Sequence, residues 1–552
     1  MPATAINGFL LNPQRFFFLG DSITEDGTYI SHIRLYFQRY LAEYEPEFIN
    51  AGLSSETASG LSEPSHPFPR PCVRDRIDAI AQELKPEDVV IFCYGMNDGI
   101  YHPFSEERFA AYRQGIEALI SRLKQTGCRV IAMTPPPFDS ASRPGCAGEA
   151  ATEYGWMNAH REYDGVLAKY SDYVKTMPGT DGTIDIRTPL LAHIRSMREE
   201  NPGCFYGDGV HPDVRGHWVI AATVMNALFN ITLSKAPDFV LFPMMCPDYV
   251  LEQQRHGLMS AAWRKHIGLG PYRQEDAPSL ASAGLKEREL HSQIEDAISQ
   301  SGVRERCEES LYRGFRRLDF YAAGREAILM LPDRMLDGNP WVWRTEFFEA
   351  FDDADMAMLK KGYCRAYIRL SDMYGNAEAI ECMRVFYEMM KNRFGLSGKP
   401  VIVGLSRGGL YAANFASNYP ERTGALYLDA PLIDIAQWPA SQGCDAAAVR
   451  ELAECAASYA FSQALSERMM TSPEDRFQRL AEYRITLLLV SGDSDRVVPY
   501  HKNGVVLQQF YEAAGMEVRV ILKPGGDHHP HGLADVTPAV DFILENTMHH
   551  SS

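Results

Sequence analysis

The chain has 552 residues, and at about 150 residues per domain it is too long for one hydrophobic core; two large enzyme domains and a connector would account for it. Its 45% apolar, 11% aromatic and 23% charged residues are those of a globular protein with sizeable cores, which excludes disordered, collagenous and membrane-embedded classes. With 54 basic against 72 acidic residues the net charge is −18, so neither nucleic acid nor an anionic membrane surface is expected as a partner.

At the start, Arg15 stands directly before Phe16-Phe17-Phe18 and no basic region precedes an apolar one, so the expectation is no secretory leader and a cytoplasmic location. From Phe16 to about Phe229, short apolar runs alternate with amphipathic stretches, the pattern of strands crossed over by helices. Phe16 to Leu19, Val89 to Phe92 and Val130 to Met133 read as buried parallel strands. Between the last two, Ser105 to Gln125 reads as a helix with Gly127 as its stop. Residues 1–235 are therefore expected to form an α/β sandwich. The segment 236–316 has many charges and few β-branched runs, and reads as a mainly helical connector. In 317–552 the alternation restarts, with strands expected at Ala327 to Leu331, Ala366 to Leu370, Val401 to Val403, Ala425 to Leu428, Ile485 to Val490 and Val518 to Leu522. The eleven cysteines, among them Cys72, Cys93, Cys444 and Cys455, are scattered without a C-x-x-C pair and read as reduced thiols.

Two serines sit where chemistry is done in such folds. The strand ending at Leu19 runs into Gly20-Asp21-Ser22, which puts a hydroxyl at the carboxyl end of a parallel strand, where open α/β sheets form ligand crevices. By itself the triplet is weak, because Ser22 could simply cap the next helix. Three further blocks follow in order: Asn50-Ala51-Gly52, Gly95-Met96-Asn97-Asp98 and Asp208-Gly209-Val210-His211. With these four blocks the first 230 or so residues resemble the SGNH or GDSL hydrolases, which implies a flavodoxin-like α/β/α sandwich. A serine hydroxyl needs an imidazole to take its proton, and an imidazole needs a carboxylate to hold its tautomer. Ser22, His211 and Asp208 are the candidates, with His217 expected to be an ordinary helix residue. The resemblance implies that the N–H groups of Ser22 and Gly52 and the amide of Asn97 receive the oxyanion.

The second serine lies in Gly404-Leu405-Ser406-Arg407-Gly408, between an expected strand and an expected helix, the setting of a nucleophile elbow. Asp495 and His528 each follow a later strand. That order of Ser, Asp and His resembles an α/β-hydrolase, which implies Ser406 as nucleophile, Asp495 as orienting acid and His528 as base. Asp493 and His529 are rivals for the last two roles. The His-rich run Asp527, His528, His529 and His531 also admits a metal, but no second ligand group at zinc-site spacing accompanies it, so neither metal nor cofactor is expected. Arg407 resembles the arginine that follows the serine of glucuronoyl esterases, although Leu405 and Gly409 depart from that pattern. It is a candidate for binding an oxyanion or an anionic substrate, or else a surface arginine. Trp341 and Trp343 could wall the site and stack on sugar rings, or pack in the core.

An SGNH domain joined to an α/β-hydrolase domain resembles modular carbohydrate esterases. That resemblance implies O-deacetylation of plant-glycan oligosaccharides or polysaccharides, of xylan or mannan type, by two separate triads. A lipid or thioester hydrolase, a glucuronoyl-type second domain, and one silent glycan-binding domain remain as alternatives.

Overall fold

The structure, a computed structural model, describes residues 15–44, 46–148, 151–268, 276–435, 451, 454–455, 458–459, 473–516 and 518–547. The chain divides into two compact units, Met1–Arg304 and Glu305–Ser552. Ten cysteines among the described residues are free thiols; Cys444 lies outside them. No helix of the described residues is long and apolar enough to cross a membrane.

The first unit is built on a five-stranded, wholly parallel sheet: β1 (Arg15–Gly20), β2 (Glu47–Asn50), β3 (Val89–Cys93), β4 (Arg129–Met133) and β5 (Gly182–Ile184), in the order β2-β1-β3-β4-β5. Phe16 to Leu19 are all buried, as a strand covered on both faces requires. Connections leave β1 and β3 in opposite directions along the sheet, and at such a reversal the crevice opens beyond the carboxyl ends of the strands. Gly20 pairs with Cys93 at that end, so the segments after β1 and β3 emerge side by side.

Residues 236–316, expected as one connector, divide between the units. The helices Pro247–Ile267 and Leu280–Ser301 belong to the first: Pro247–Ile267 packs on the helix Thr28–Tyr40 and on β2, and Leu280–Ser301 packs on Pro247–Ile267. Charge pairs inside this interface explain its polar sequence. Arg39 is buried and binds Asp248 through Nε at 2.6 Å and Nη2 at 2.9 Å, and Arg34 binds Glu252 at 2.8 Å. Breaking such a buried pair leaves an unpaired charge, which is strongly destabilising.

The second unit begins with strands. Its nine-stranded mixed sheet comprises β6 (Glu308–Tyr312), β7 (Phe315–Ala322), β8 (Arg325–Leu331), β9 (Trp341–Arg344), β10 (Cys364–Ile368), β11 (Val401–Leu405), β12 (Ala425–Asp429), β13 (Thr486–Gly492) and β14 (Val518–Lys523). The order is β14-β13-β12-β11-β9-β10-β8-β7-β6, antiparallel from β6 to β8 and between β8 and β10, and parallel elsewhere. The interchange of β9 and β10 within an otherwise sequential, mainly parallel sheet is the α/β-hydrolase arrangement. β9 is central, and this decides between the two alternatives for its tryptophans: Trp341 and Trp343 are 1% and 0% exposed, stacked on each other at 5.3 Å in the core, and present no face to a sugar.

Candidate active sites

In the first unit, Gly20 closes β1 where no side chain fits: a Cβ would lie 2.3 Å from Thr24 Oγ1 and 2.8 Å from the Cys93 carbonyl oxygen. Asp21 caps the short helix Ser22–Asp26 by accepting from the Ile23 N–H at 3.0 Å. Ser22 Oγ then lies 2.8 Å from His211 Nε2, and His211 Nδ1 lies 2.9 Å from Asp208 Oδ2. The other oxygen of Asp208 accepts from the N–H groups of Val210 at 2.9 Å and His211 at 2.7 Å, so acid and base are held in one tight loop. Burial alone would push the His211 imidazole down, but its hydrogen bond to Asp208 and that carboxylate's charge hold it above the ordinary histidine value. Burial would likewise raise Asp208, but its bonds to His211 and Val210 hold it well below the usual carboxylate range. Asp21, buried beside the serine, is pushed up to about 7, chiefly by that burial.

The expected oxyanion donors are near but partly engaged. The Gly52 N–H donates to Asn50 Oδ1 at 2.9 Å. Asn97 donates from Nδ2 to the Glu56 carbonyl oxygen at 3.2 Å and accepts from Tyr101 OH at 3.1 Å, which leaves one amide hydrogen. Buried groups that sequence reading passed over position this loop. Asp98 accepts from the N–H groups of Ala58 and Ser59 at 2.8 and 2.7 Å, and Glu56 binds Arg76 at 2.5 Å and Tyr94 OH at 2.6 Å. Asp98 adjoins Asn97 in the motif and could have been weighed; Glu56 and Arg76 carry no local signal. His217 lies in the helix Val214–Phe229, stacked on Tyr29 and 3.3 Å from Asp26, away from Ser22.

In the second unit, Ser406 stands between β11 and the helix Gly408–Asn418 at φ 48°, a left-handed conformation uncommon for a serine and expected of an elbow. Its N–H donates to the Asp429 carbonyl oxygen at 3.0 Å. Ser406 Oγ lies 3.0 Å from His528 Nε2, and His528 Nδ1 lies 2.8 Å from Asp495 Oδ2. Asp495 Oδ1 also accepts from the N–H groups of Val497 and Val498. Of the rivals, Asp493 is turned to the Gly525 N–H, and His529 lays its ring on Phe351 at 5.7 Å.

The residues after β9, rather than β9 itself, border the elbow. Thr345 Oγ1 donates to the Gly408 carbonyl oxygen at 2.9 Å, and a Cβ on Gly408 would meet Thr345 Oγ1 at 2.9 Å and Glu346 Cβ at 3.2 Å. Arg407 is spoken for: it lies 3.6 Å from Glu346 and 3.2 Å from Asp372, with Phe347 and Tyr374 beneath its guanidinium at 5.4 and 5.6 Å. Burial would lower its pKa, but Glu346, Tyr411 and Asp372 outweigh that and keep it charged.

Two constellations of serine, imidazole and carboxylate, each with its serine at the carboxyl end of a parallel strand, have the geometry for acyl transfer to water. Residues 18–219 match the GDSL-like Lipase/Acylhydrolase family. No curated protein matches the chain significantly. Solved structures similar to it include a gut microbial diltiazem-metabolizing enzyme, BT4096, at 20% identity and a TM-score of 0.32, covering 41% of this chain and 48% of that one. Est1E from Butyrivibrio proteoclasticus is 17% identical at a TM-score of 0.31, covering 44% of this chain and 98% of that one. Dipeptidyl peptidase 4 of Porphyromonas gingivalis is 14% identical at a TM-score of 0.34, covering 50% and 39%. The chain thus spans about half or less of the first and third of these.

Proposed function

We propose that the chain is a two-site serine esterase that removes O-acetyl groups from plant glycans of the xylan or mannan type, with one triad in each unit and a different ester position preferred by each. The observation that carries it is the pair of complete hydrogen-bond relays, Ser22–His211–Asp208 and Ser406–His528–Asp495, at 2.8 to 3.0 Å throughout. In each, the imidazole Nε2 takes the serine proton as Oγ attacks the ester carbonyl, and returns it to the departing sugar hydroxyl. Water then enters by the reverse route and releases acetate. In this reading the remaining amide hydrogen of Asn97 and backbone N–H groups beside each serine receive the oxyanion. The glycan part rests on the pairing of these two domain types. A uronate-ester reading of the second site is disfavoured, because Arg407 already faces two carboxylates.

The test is hydrolysis of acetylated xylan and mannan oligosaccharides by Ser22→Ala, Ser406→Ala and the double variant. Each single variant should retain part of the acetate release, and the double variant should lose about a thousand-fold or more. Hydrolysis of p-nitrophenyl esters of long chains in preference to acetate, with no action on either glycan, would replace this reading by a lipid acylhydrolase.

A further inference from the structure

We infer that His529 and His531 form, with His528, a capture site for a transition-metal cation of the zinc class, and that filling it shuts off the triad of the second unit. The inhibitory half rests on the reading of Ser406 and His528 given above; the binding half does not. The centroids of the three imidazoles lie 4.9, 4.7 and 4.8 Å apart in pairs, with the rings inclined at 67°, 79° and 87°. They enclose a triangle rather than a stack, and one ligand nitrogen from each lies within 4.8 Å of the others.

Two of the three are already prepared as ligands. His531 Nδ1 lies 2.8 Å from Asp429 Oδ1, and the second oxygen of that buried carboxylate accepts from the Gly532 N–H at 2.8 Å. Donation of Nδ1–H to Asp429 leaves Nε2 with its lone pair. That nitrogen is buried without a hydrogen-bond partner on a side chain only 2% exposed. A carboxylate that fixes the remote nitrogen of an imidazole is how metal-binding histidines are oriented. His528 is held in the same way, Nδ1 on Asp495, with Nε2 presented toward Ser406. His529 supplies the third nitrogen from an exposed position, and Phe351 backs both His529 and His531 at 5.7 and 5.3 Å.

A tetrahedral zinc ion with nitrogen ligands at about 2.0–2.1 Å needs those nitrogens about 3.4 Å apart, so from separations within 4.8 Å the triangle must close by at most about 1.4 Å, which a turn of the exposed His529 ring can begin. Three imidazoles and an open fourth position suit zinc, copper, nickel or cobalt rather than the oxygen-seeking magnesium or calcium. The lone pair that His528 would give the metal is the one that takes the Ser406 proton. Hydrolysis at Ser406 therefore stops when the metal binds, while Ser22, served by His211, continues.

The experiment uses the full-length Ser22→Ala protein, in which any hydrolysis belongs to the second site. Zinc binding is followed by calorimetry, cobalt binding by its visible absorption, and turnover with p-nitrophenyl acetate. The expected result is one zinc per chain with saturable inhibition that EDTA reverses. His529→Ala and His531→Ala should each weaken zinc binding about ten-fold or more and raise the inhibiting concentration to match. His529→Ala replaces an exposed residue and keeps the test available should His531→Ala fail to fold. Zinc affinity unchanged by both His529→Ala and His531→Ala would overturn the site, and full occupancy with undiminished turnover would remove His528 from it. Should Ser22→Ala hydrolyse nothing even without metal, the reading of Ser406 fails, and calorimetry still decides the metal site.

Discussion

Ser22 and Ser406 approach their imidazoles at similar distances, but the relays behind them sit in different media. The His211 and Asp208 side chains are 44% and 53% exposed, whereas those of His528 and Asp495 are 6% and 0% exposed. In the first relay the raised imidazole has a direct consequence for pH dependence. The base works only when neutral, so turnover at Ser22 should fall as pH drops through a value above the ordinary histidine pKa of about 6.5. Asparagine at position 208 cannot supply the charge that raises it. In a Ser406→Ala background, Asp208→Asn should lower kcat by about two to four orders of magnitude and move the acid limb of the residual rate to lower pH. A residual rate whose acid limb stayed in place would show that Asp208 does not set the imidazole.

Asp21 yields a stability prediction at the same scale. Its carboxyl is buried and lifted from 3.8 to about 7, so the folded state binds a proton that the unfolded chain releases near 3.9. Stability from this group is therefore complete below about pH 4 and declines as pH rises toward about 7. An asparagine in its place would keep the cap on the Ile23 N–H without a charge to bury. The melting temperature of Asp21→Asn should match wild type at pH 4 and exceed it at pH 8. Equal melting temperatures at both pH values would mean that the Asp21 carboxylate is not penalised by its surroundings.

Among elements, the two strand-to-helix turns carry the candidate nucleophiles and leave little room for added side chains. Gly409 shows how tightly the second is made: a Cβ there would lie 2.7 Å from both the Leu432 carbonyl oxygen and Pro431 Cβ. Gly409→Ala should destabilise the second unit by about 1–3 kcal/mol and slow hydrolysis at Ser406 while leaving Ser22 active. Thermal denaturation together with activity in each single-serine background measures both, and an unaltered melting temperature would contradict the packing. The turn at Ser406 was legible from its strand, Gly-x-Ser-x-Gly and helix context, and the turn at Ser22 only together with the three motif blocks that follow it. The candidate triad of the second unit was legible as residue types, since Ser406, Asp495 and His528 each follow a strand, and that of the first through its four motif blocks, Asp208 and His211 lying between two helices. The choice between His528 and His529, or Asp493 and Asp495, was not, because adjacent residues differ only in which way their side chains leave the backbone. Burial was not legible where it acts over distance. Trp341 to Arg344 admits both an aromatic wall and a core position, and is a central strand in the core. The helix Pro247–Ile267 reads as a polar linker, because its buried Asp248 and Glu252 find arginines more than 200 positions away in sequence.

At the scale of the whole molecule, the proposed function raises the question of why one chain would carry two esterase sites. Attack on an ester requires the carbonyl within about 3–3.5 Å of the nucleophile and aligned with it, and small displacements are heavily penalised. A pocket that fixes a sugar ring with one ester over its serine therefore presents an ester on the neighbouring carbon poorly. The two units surround their serines differently, with a half-exposed relay on a five-stranded parallel sheet in one and a buried relay beside the Thr345 to Phe347 loop in the other. Division of labour by ester position follows more naturally from this than duplication. NMR of an acetylated xylan oligosaccharide digested to completion by each single-serine variant reads the outcome directly. Ser22→Ala and Ser406→Ala should leave acetyl groups on different ring positions, and the wild type should remove both sets. Identical residual patterns from the two variants would mean that both sites act on the same ester, and the second would then add rate rather than range.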